Sequence, residues 1–122
     1  MNENQRVMAE AMSEADLQQA VIEQATTLGF KVYHTYDSRK SHKGFPDLVL
    51  VEYNRIIFAE LKRQDEKKGK VRPEQQEWIN AIQEIHDRMV DSEIYHNWIR
   101  VYLWRPEHWV TGEIEQILLG NQ

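Results

Sequence analysis

One segment constrains the fold of this chain more than any other. Residues 44–62, GFPDLVLVEYNRIIFAELK, predict two apolar strands, DLVLVEY and IIFAELK, joined through a tight turn at Asn54 and Arg55. Asp47 begins the first strand, and Glu60 lies near the end of the second. Because buried strands rarely accept a charge that has no partner, we expect each of these two carboxylates to hold a partner.

The rest of the sequence predicts an αβββαβα order of elements. Ser13, with Asp16 three residues later, is a candidate N-cap of a first helix that ends at Gly29. FKVYHT predicts the strand before the two apolar runs, Pro73 starts a second helix, IRVYLW is a fourth strand and VTGEIEQILL is a final helix. Such an order predicts a mixed sheet with helices packed on it.

Length and composition bound the class of protein. The 122 residues favour a single domain over residues 13–122, preceded by an arm at residues 1–12 that is either frayed or helical. With no cysteine, the chain has no disulfide, zinc–thiolate cluster or thiol nucleophile. No apolar run reaches the roughly 18 residues that cross a bilayer, and the N-terminus lacks the apolar core of a secretory signal. We therefore expect a soluble intracellular protein without a membrane partner, in the cytoplasm of a bacterium or of a phage-infected cell.

The charge is distributed unevenly along the chain. The net charge is -5, which by itself disfavours nucleic acid as a partner. Residues 62–72 nevertheless carry +4, and residues 31–44 carry +3. Two basic segments beside the strand carboxylates are what a phosphate-binding face requires, although two solvated loops would have the same composition.

The pattern around Glu60 predicts a metal site. Alternate residues of a strand share a face, so Glu60 and Lys62 point to the same side, and Asp47 lies beside them if the two strands pair. A Glu-x-Lys pair alone is more typical of a structural salt bridge. Two converging carboxylates repel each other unless a cation neutralises them, and Mg²⁺ prefers oxygen ligands. The three residues together therefore favour a divalent metal.

Each of the two longer helices adds one candidate residue. Glu10, Glu14 and Glu23 are possible third carboxylates; at about 100° per residue, Glu14 lies on the apolar stripe and Glu23 lies opposite. We expect Glu14 to face the sheet, although attraction to the positive end of the helix would also explain a glutamate there. On the second helix, Gln75 lies on the apolar stripe and Gln76 is turned away. The predicted buried face of that helix consists of Trp78, Ile79, Ile82 and Ile85.

These residues together resemble the VRR-NUC family of the PD-(D/E)XK nuclease superfamily. The resemblance extends over residues 13–109, and the Pro-Asp of GFPD with the Glu-x-Lys of ELK fills the superfamily signature. Residues 34–39 resemble the segment that precedes GFPD in stand-alone members. Residues 86–98 depart from the pattern, because they exceed the usual short link between helix and strand. The elements that carry the resemblance are Glu14, Gly44-Phe45-Pro46-Asp47, Glu60-Leu61-Lys62, Gln75 and VYLWRP.

The resemblance implies a restriction-endonuclease-like α/β fold and metal-dependent hydrolysis of DNA, with Mg²⁺ or Mn²⁺ as the cofactor. The implied metal ligands are Asp47, Glu60, the Leu61 carbonyl and, directly or through water, Glu14. Lys62 would orient the attacking water, and Gln75 would position the lysine or a phosphate. The candidate contacts to the DNA backbone are Arg39, Lys40, Lys43, Lys67, Lys68 and Lys70.

Stand-alone members of the family resemble Holliday-junction resolvases in size and motif order. We therefore expect a branched-DNA endonuclease that acts as a homodimer, because cutting two strands of a junction suits a two-fold dimer. The alternatives are a flap nuclease or nickase of low structure selectivity, and a catalytically silent DNA-binding module. A silent module would be expected to lose Asp47, Glu60 or Lys62, and all three are present.

Overall fold

The computed structural model describes residues 1–35, 43–90 and 98–120. Residues 36–42, residues 91–97, which are most of the predicted insertion, and residues 121–122 lie outside the described part of the chain. None of the described helices is long and apolar enough to cross a membrane. The elements are α1 Glu3–Ala11, α2 Glu14–Thr27, β1 Lys31–His34, β2 Leu48–Glu52, β3 Arg55–Leu61, α3 Pro73–Val90, β4 Ile99–Trp104, α4 Pro106–Val110 and α5 Glu113–Leu118.

The four strands form one sheet in the order β1-β2-β3-β4. β1 pairs with β2, and β2 with β3, in antiparallel orientation. The Ile56 N–H donates to the Trp98 carbonyl at 2.6 Å, and six residues further on the Lys62 N–H donates to the Trp104 carbonyl at 3.0 Å. Because both partners advance together along the chain, β3 and β4 are parallel. The mixed sheet, flanked by helices, confirms the predicted α/β class and is consistent with a restriction-endonuclease-like fold.

Capping boxes start both N-terminal helices. At α2, the Ser13 hydroxyl accepts the Asp16 N–H and the Asp16 carboxylate accepts the Ser13 N–H, each at 3.0 Å. The backbone N–H of Ser13, and then its hydroxyl, hold the pKa of Asp16 below its usual value. Asn2 and Gln5 form the corresponding box at α1. The predicted helix start at Ser13 is confirmed, and residues 1–12 contain a helix rather than a frayed arm.

Two local predictions about the helices are wrong. Ile85, expected on the buried face of α3, is 48% exposed, and His86 is buried instead. The His86 Nδ1 atom lies 3.0 Å from the Ile99 carbonyl oxygen, a polar contact that isoleucine cannot make. The predicted final helix, VTGEIEQILL, starts only at Glu113 as α5, because Gly112 before it has a left-handed φ of 83°. The short helix α4, Pro106–Val110, was not predicted.

The chain divides into two compact units. The first comprises Met1–Phe30, Leu61–Lys70 and Leu103–Gln122, and the second comprises Lys31–Glu60 and Val71–Tyr102. Within the first unit, α4 contacts α1, α2 and α5. The core of the first unit includes Leu17, Val21, Ala25, Trp104 and Ile114, and that of the second includes Leu48, Leu50, Ile57 and Ala59. The domain boundary expected after residue 12 stays a prediction.

The GFPD block packs against the start of α3. Gly44 has a left-handed φ of 88°, and a Cβ at this position would collide with the backbone carbonyl of Glu74. The ring centroid of Phe45 lies 5.1 Å from that of Trp78 and 6.2 Å from that of Phe58, with edge-to-face geometry in both pairs. A glycine is therefore required where the loop meets the helix, and the aromatic contacts join the loop to α3 and to β3.

Gly44→Ala should lower the free energy of unfolding by more than the control Gly29→Ala. Both glycines have a positive φ, which costs alanine about 1–2 kcal/mol. No atom of the described residues lies within 4 Å of a Cβ built at Gly29. The collision with Glu74 should add about 1–3 kcal/mol at Gly44. Urea unfolding of both variants measures the difference, and equal losses would contradict the close approach of loop and helix.

Candidate active site

Asp47 directly precedes β2, and Glu60 lies in β3 just beyond the last pair of the β2–β3 ladder. Leu48 pairs with Ala59 in the antiparallel register, so the next position places Asp47 opposite Glu60. Opposite residues of an antiparallel pair project from the same face of the sheet. On the β1 side, the Thr35 N–H donates to the Asp47 carbonyl at 3.1 Å and fixes the main chain there. The register agrees with the expected approach of the two carboxylates, which stays a prediction.

Glu60 is a buried carboxylate that is held by a side-chain amide. Only 2% of its surface is exposed. Gln75 Nε2 donates to Glu60 Oε1 at 3.0 Å, and Gln75 Oε1 accepts the Arg72 N–H at 2.9 Å. A hydrogen bond to a charged group contributes about 1.5–3 kcal/mol, which offsets part of the cost of burying the carboxylate. Gln75 is buried and Gln76 is exposed, as the helical periodicity predicts.

Lys62 directly follows β3 and is itself buried. Its backbone N–H donates to the Trp104 carbonyl at 3.0 Å. Because a peptide group is planar and trans, this hydrogen bond turns the Leu61 carbonyl, which belongs to the same peptide, away from β4. One hydrogen bond therefore sets the backbone orientation of two predicted site residues.

Glu14 is the first residue of α2 and directly follows the Ser13 cap. It is exposed, whereas the apolar residues that share its stripe, Leu17, Val21 and Ala25, are buried. Glu10 and Glu23 are exposed as well. Burial therefore does not distinguish Glu14 from Glu10 and Glu23. The role of Glu14 as a metal ligand stays a prediction.

The described basic residues of the candidate DNA contacts lie on the surface. The exposed candidates are Lys43, Lys67, Lys68 and Lys70, whereas Arg39 and Lys40 lie outside the described residues. Arg63 was not singled out from the sequence, although it belongs to the same basic run. It is exposed and, with Lys68, borders a cavity of about 560 Å³ between residues 10–13 and the loop 63–68. Arg63 is therefore a further candidate for a phosphate contact.

The donor atoms at this end of the sheet fit a hard divalent cation. Asp47 and Glu60 supply two carboxylates on one face of the sheet. In the described part of the chain, no three His, Cys, Asp or Glu side chains form a group that could hold a metal ion. Mg²⁺ is usually bound through one or two carboxylates together with water and phosphate, whereas zinc takes three or four protein ligands. Carboxylate oxygens of this kind are ligands that a hard divalent cation accepts.

Carboxylates on two paired strands, with a lysine two residues after the second, are typical of PD-(D/E)XK nucleases. The VRR-NUC domain, a family of this class, matches residues 2–96, which is more than half of the 122-residue chain. The chain therefore belongs to the VRR-NUC domain family, which confirms the resemblance carried by its motifs and implies a nuclease that acts on DNA. No curated protein and no solved structure gives a significant match.

Gln75→Ala should destabilise the protein far more than the neighbouring Gln76→Ala. The first change removes the amide that bonds Glu60 and should cost about 1–3 kcal/mol, because a buried charged group loses a partner. Gln76 is exposed and its side-chain amide donates to the exposed Asn80, so its removal should change the free energy of unfolding by less than about 0.5 kcal/mol. Urea denaturation of both variants measures the two losses of free energy of unfolding. Similar losses would show that the Gln75 amide is not a structural partner of Glu60.

Proposed function

We propose that this protein is a DNA endonuclease that requires a divalent metal ion and cuts branched DNA as a homodimer. The observation that carries the proposal is the β2–β3 register, which aligns Asp47 with Glu60 when it is continued by one residue; Glu60 is buried and bonded to Gln75. Two carboxylates brought together in this way are unfavourable unless a cation compensates their charge. The family supplies the class of reaction, and these residues supply the place at which the cation would be held.

The metal would be held by oxygen atoms of β3 and of the loop before β2. Asp47, Glu60 and the Leu61 carbonyl would bind Mg²⁺ or Mn²⁺, and Glu14 would complete the set directly or through water. Such an ion polarises a phosphate and lowers the pKa of water. Gln75 engages one oxygen of Glu60 and so restricts the direction of the other, which prepares the carboxylate for a ligand.

Lys62 would act on the phosphate and on the attacking water. Its ammonium is a compact charge with three donors, and water screens a buried charge less than an exposed one. It would donate a hydrogen bond to the water that attacks the phosphorus atom. It would also stabilise the negative charge that grows on the phosphate oxygens.

The exposed basic residues would bind the DNA backbone. Phosphate contacts from lysine and arginine position a duplex without reading its sequence. The candidates are Lys43, Lys67, Lys68 and Lys70, with Arg39 and Lys40 from the sequence and Arg63 from the cavity. A local excess of positive charge on an acidic chain would confine DNA to the surface beside Lys62.

Branched DNA is favoured as the substrate because stand-alone members of the family resemble junction resolvases, whose two symmetric cuts suit a two-fold dimer. The setting would be the cytoplasm of a bacterium or of a phage-infected cell. Cleavage of four-way junction, flap, single-stranded and linear duplex DNA in Mg²⁺ and in Mn²⁺ tests this choice. We expect the junction to be cut fastest. Equal rates on all four would favour a nickase, and no cleavage of any would favour a silent DNA-binding module.

Asp47→Asn and Glu60→Gln should each reduce cleavage by about 100-fold or more, because each removes a charge that would hold the ion. Both amides keep the shape of the side chain, so the fold should persist, and relief of carboxylate repulsion should keep the free energy of unfolding at least as high. Junction cleavage in Mg²⁺, with circular dichroism to check the fold, measures both effects. The control is Asp87→Asn, which changes an exposed carboxylate on α3. Full activity in either site variant would remove the proposed site.

Replacing Lys67, Lys68 and Lys70 by glutamine should weaken binding of all DNA sequences alike. Each phosphate contact adds about 0.9 to the slope of log affinity against log salt, so the slope should fall by up to roughly 3. Affinity is measured in Ca²⁺, which neutralises the carboxylates without supporting cleavage. Arg6→Gln and Arg88→Gln serve as controls, because each arginine is exposed and paired with a glutamate of its own helix. An unchanged slope in the triple variant would make this segment a solvated loop.

A further inference from the structure

The loop that follows Lys62 closes around a buried arginine. Arg105, which lies between β4 and α4, is only 8% exposed. Its Nη1 atom donates to the Arg63 carbonyl at 2.6 Å. A Cβ at Gly69 would lie 3.1 Å from the same Nη1 atom and 3.0 Å from the Arg63 backbone nitrogen. The two ends of the loop 63–69 thus meet at one guanidinium group, and a glycine provides the space for it.

The segment from Trp104 to Glu107 forms hydrogen bonds with three consecutive residues, Lys62, Arg63 and Gln64. The Lys62 N–H donates to the Trp104 carbonyl at 3.0 Å, and the Arg63 carbonyl accepts from Arg105. The Gln64 side-chain oxygen then accepts the backbone N–H at the start of α4 at 2.8 Å. Lys62 and Arg63 therefore lie together between a peptide bonded to Trp104 and a peptide bonded to Arg105. The backbone that carries the lysine is fixed on both sides.

Burial of a guanidinium beside a backbone carbonyl is a poor source of stability. Removing a charged group from water is costly, and a neutral carbonyl returns only part of that cost. What a guanidinium provides is a planar, rigid set of donors with a defined reach. A lysine has four rotatable side-chain bonds, so placing its ammonium against a phosphate requires that the backbone at its Cα does not move.

We infer that Arg105 is a positioning residue for Lys62. It fixes the carbonyl of Arg63, and through it the direction in which the Lys62 side chain leaves the backbone. The inference rests on the proposed function, because it requires Lys62 to act on the scissile phosphate. Arg105 belongs to the VYLWRP element of the resemblance, which gave it no role, and it lies outside residues 2–96, which match the VRR-NUC domain.

Arg105→Gln should slow the chemical step and leave DNA binding intact. The single-turnover cleavage rate of a four-way junction in Mg²⁺ should fall by about 10- to 100-fold, as small misplacements of a catalytic group do. The dissociation constant for the same junction in Ca²⁺ should stay within about twofold. Arg105→Lys keeps the charge but not the planar donors, so its cleavage rate should lie between those of the unaltered protein and of Arg105→Gln. The matched control is Arg6→Gln, which removes one positive charge from exposed α1 and should leave both quantities unchanged.

A second variant disturbs the same contact from the other side. Gly69→Ala places a methyl group against the Arg105 guanidinium and should also slow cleavage with little change in DNA affinity. Hydrogen exchange should quicken in residues 62–69 of both variants and stay unchanged in α2. This measurement does not depend on activity, and Gly69→Ala and Arg105→Lys carry the test if Arg105→Gln does not fold.

The outcomes separate the inference from the proposed function. A wild-type rate in Arg105→Gln with a lowered melting temperature would make the arginine merely structural and overturn the inference alone. Equal losses of rate and affinity would also overturn it, and would place the loop among the DNA-binding elements. No cleavage by the unaltered protein would overturn the proposed function together with the inference.

Discussion

The hydrogen bond between Gln75 and Glu60 joins the main parts of the second unit. A carboxylate with 2% exposure at the end of β3 needs a partner, and the amide at the start of α3 supplies it. The start of α3 is held in turn by the close contact with Gly44 and by the aromatic contacts of Phe45. Strand and helix therefore meet at one ionisable group, and the loop packs against the start of the same helix.

Local periodicity explains which parts of this arrangement could be predicted from the sequence. The alternation in β3, the place of Gln75 on its helix and the cap at Ser13 each depend on residues within one element. Ile85 and His86 are neighbours on α3, and periodicity alone does not decide which of them is buried. The carbonyl of Ile99 decides it, because only a polar ring can meet it. The bond between Arg105 and Arg63 joins residues 42 positions apart, and no local pattern encodes it.

Among the described residues, two kinds of charged side chain differ in burial. Glu60, Lys62 and Arg105 are buried, and each has a backbone or side-chain partner that fixes its geometry. Lys67 and Lys68 are exposed and free to follow a phosphate backbone. Groups of the first kind suit chemistry, which requires fixed distances, and those of the second suit long-range attraction, which does not. An acidic net charge is compatible with DNA binding because the two tasks fall to different residues.

The bonds that hold Lys62 and Arg63 also set an order of events during synthesis. A ribosome adds residues from the N-terminus, so β1, β2 and β3 are complete well before Trp104 and Arg105 exist. Until Trp104 and Arg105 have emerged, the loop after Lys62 lacks these two backbone anchors, each of which joins residues 42 positions apart in sequence. A nascent chain can therefore contain every residue of the nuclease motif and still not hold its lysine in place. Such timing would keep a DNA-cutting enzyme inactive while it is still being made.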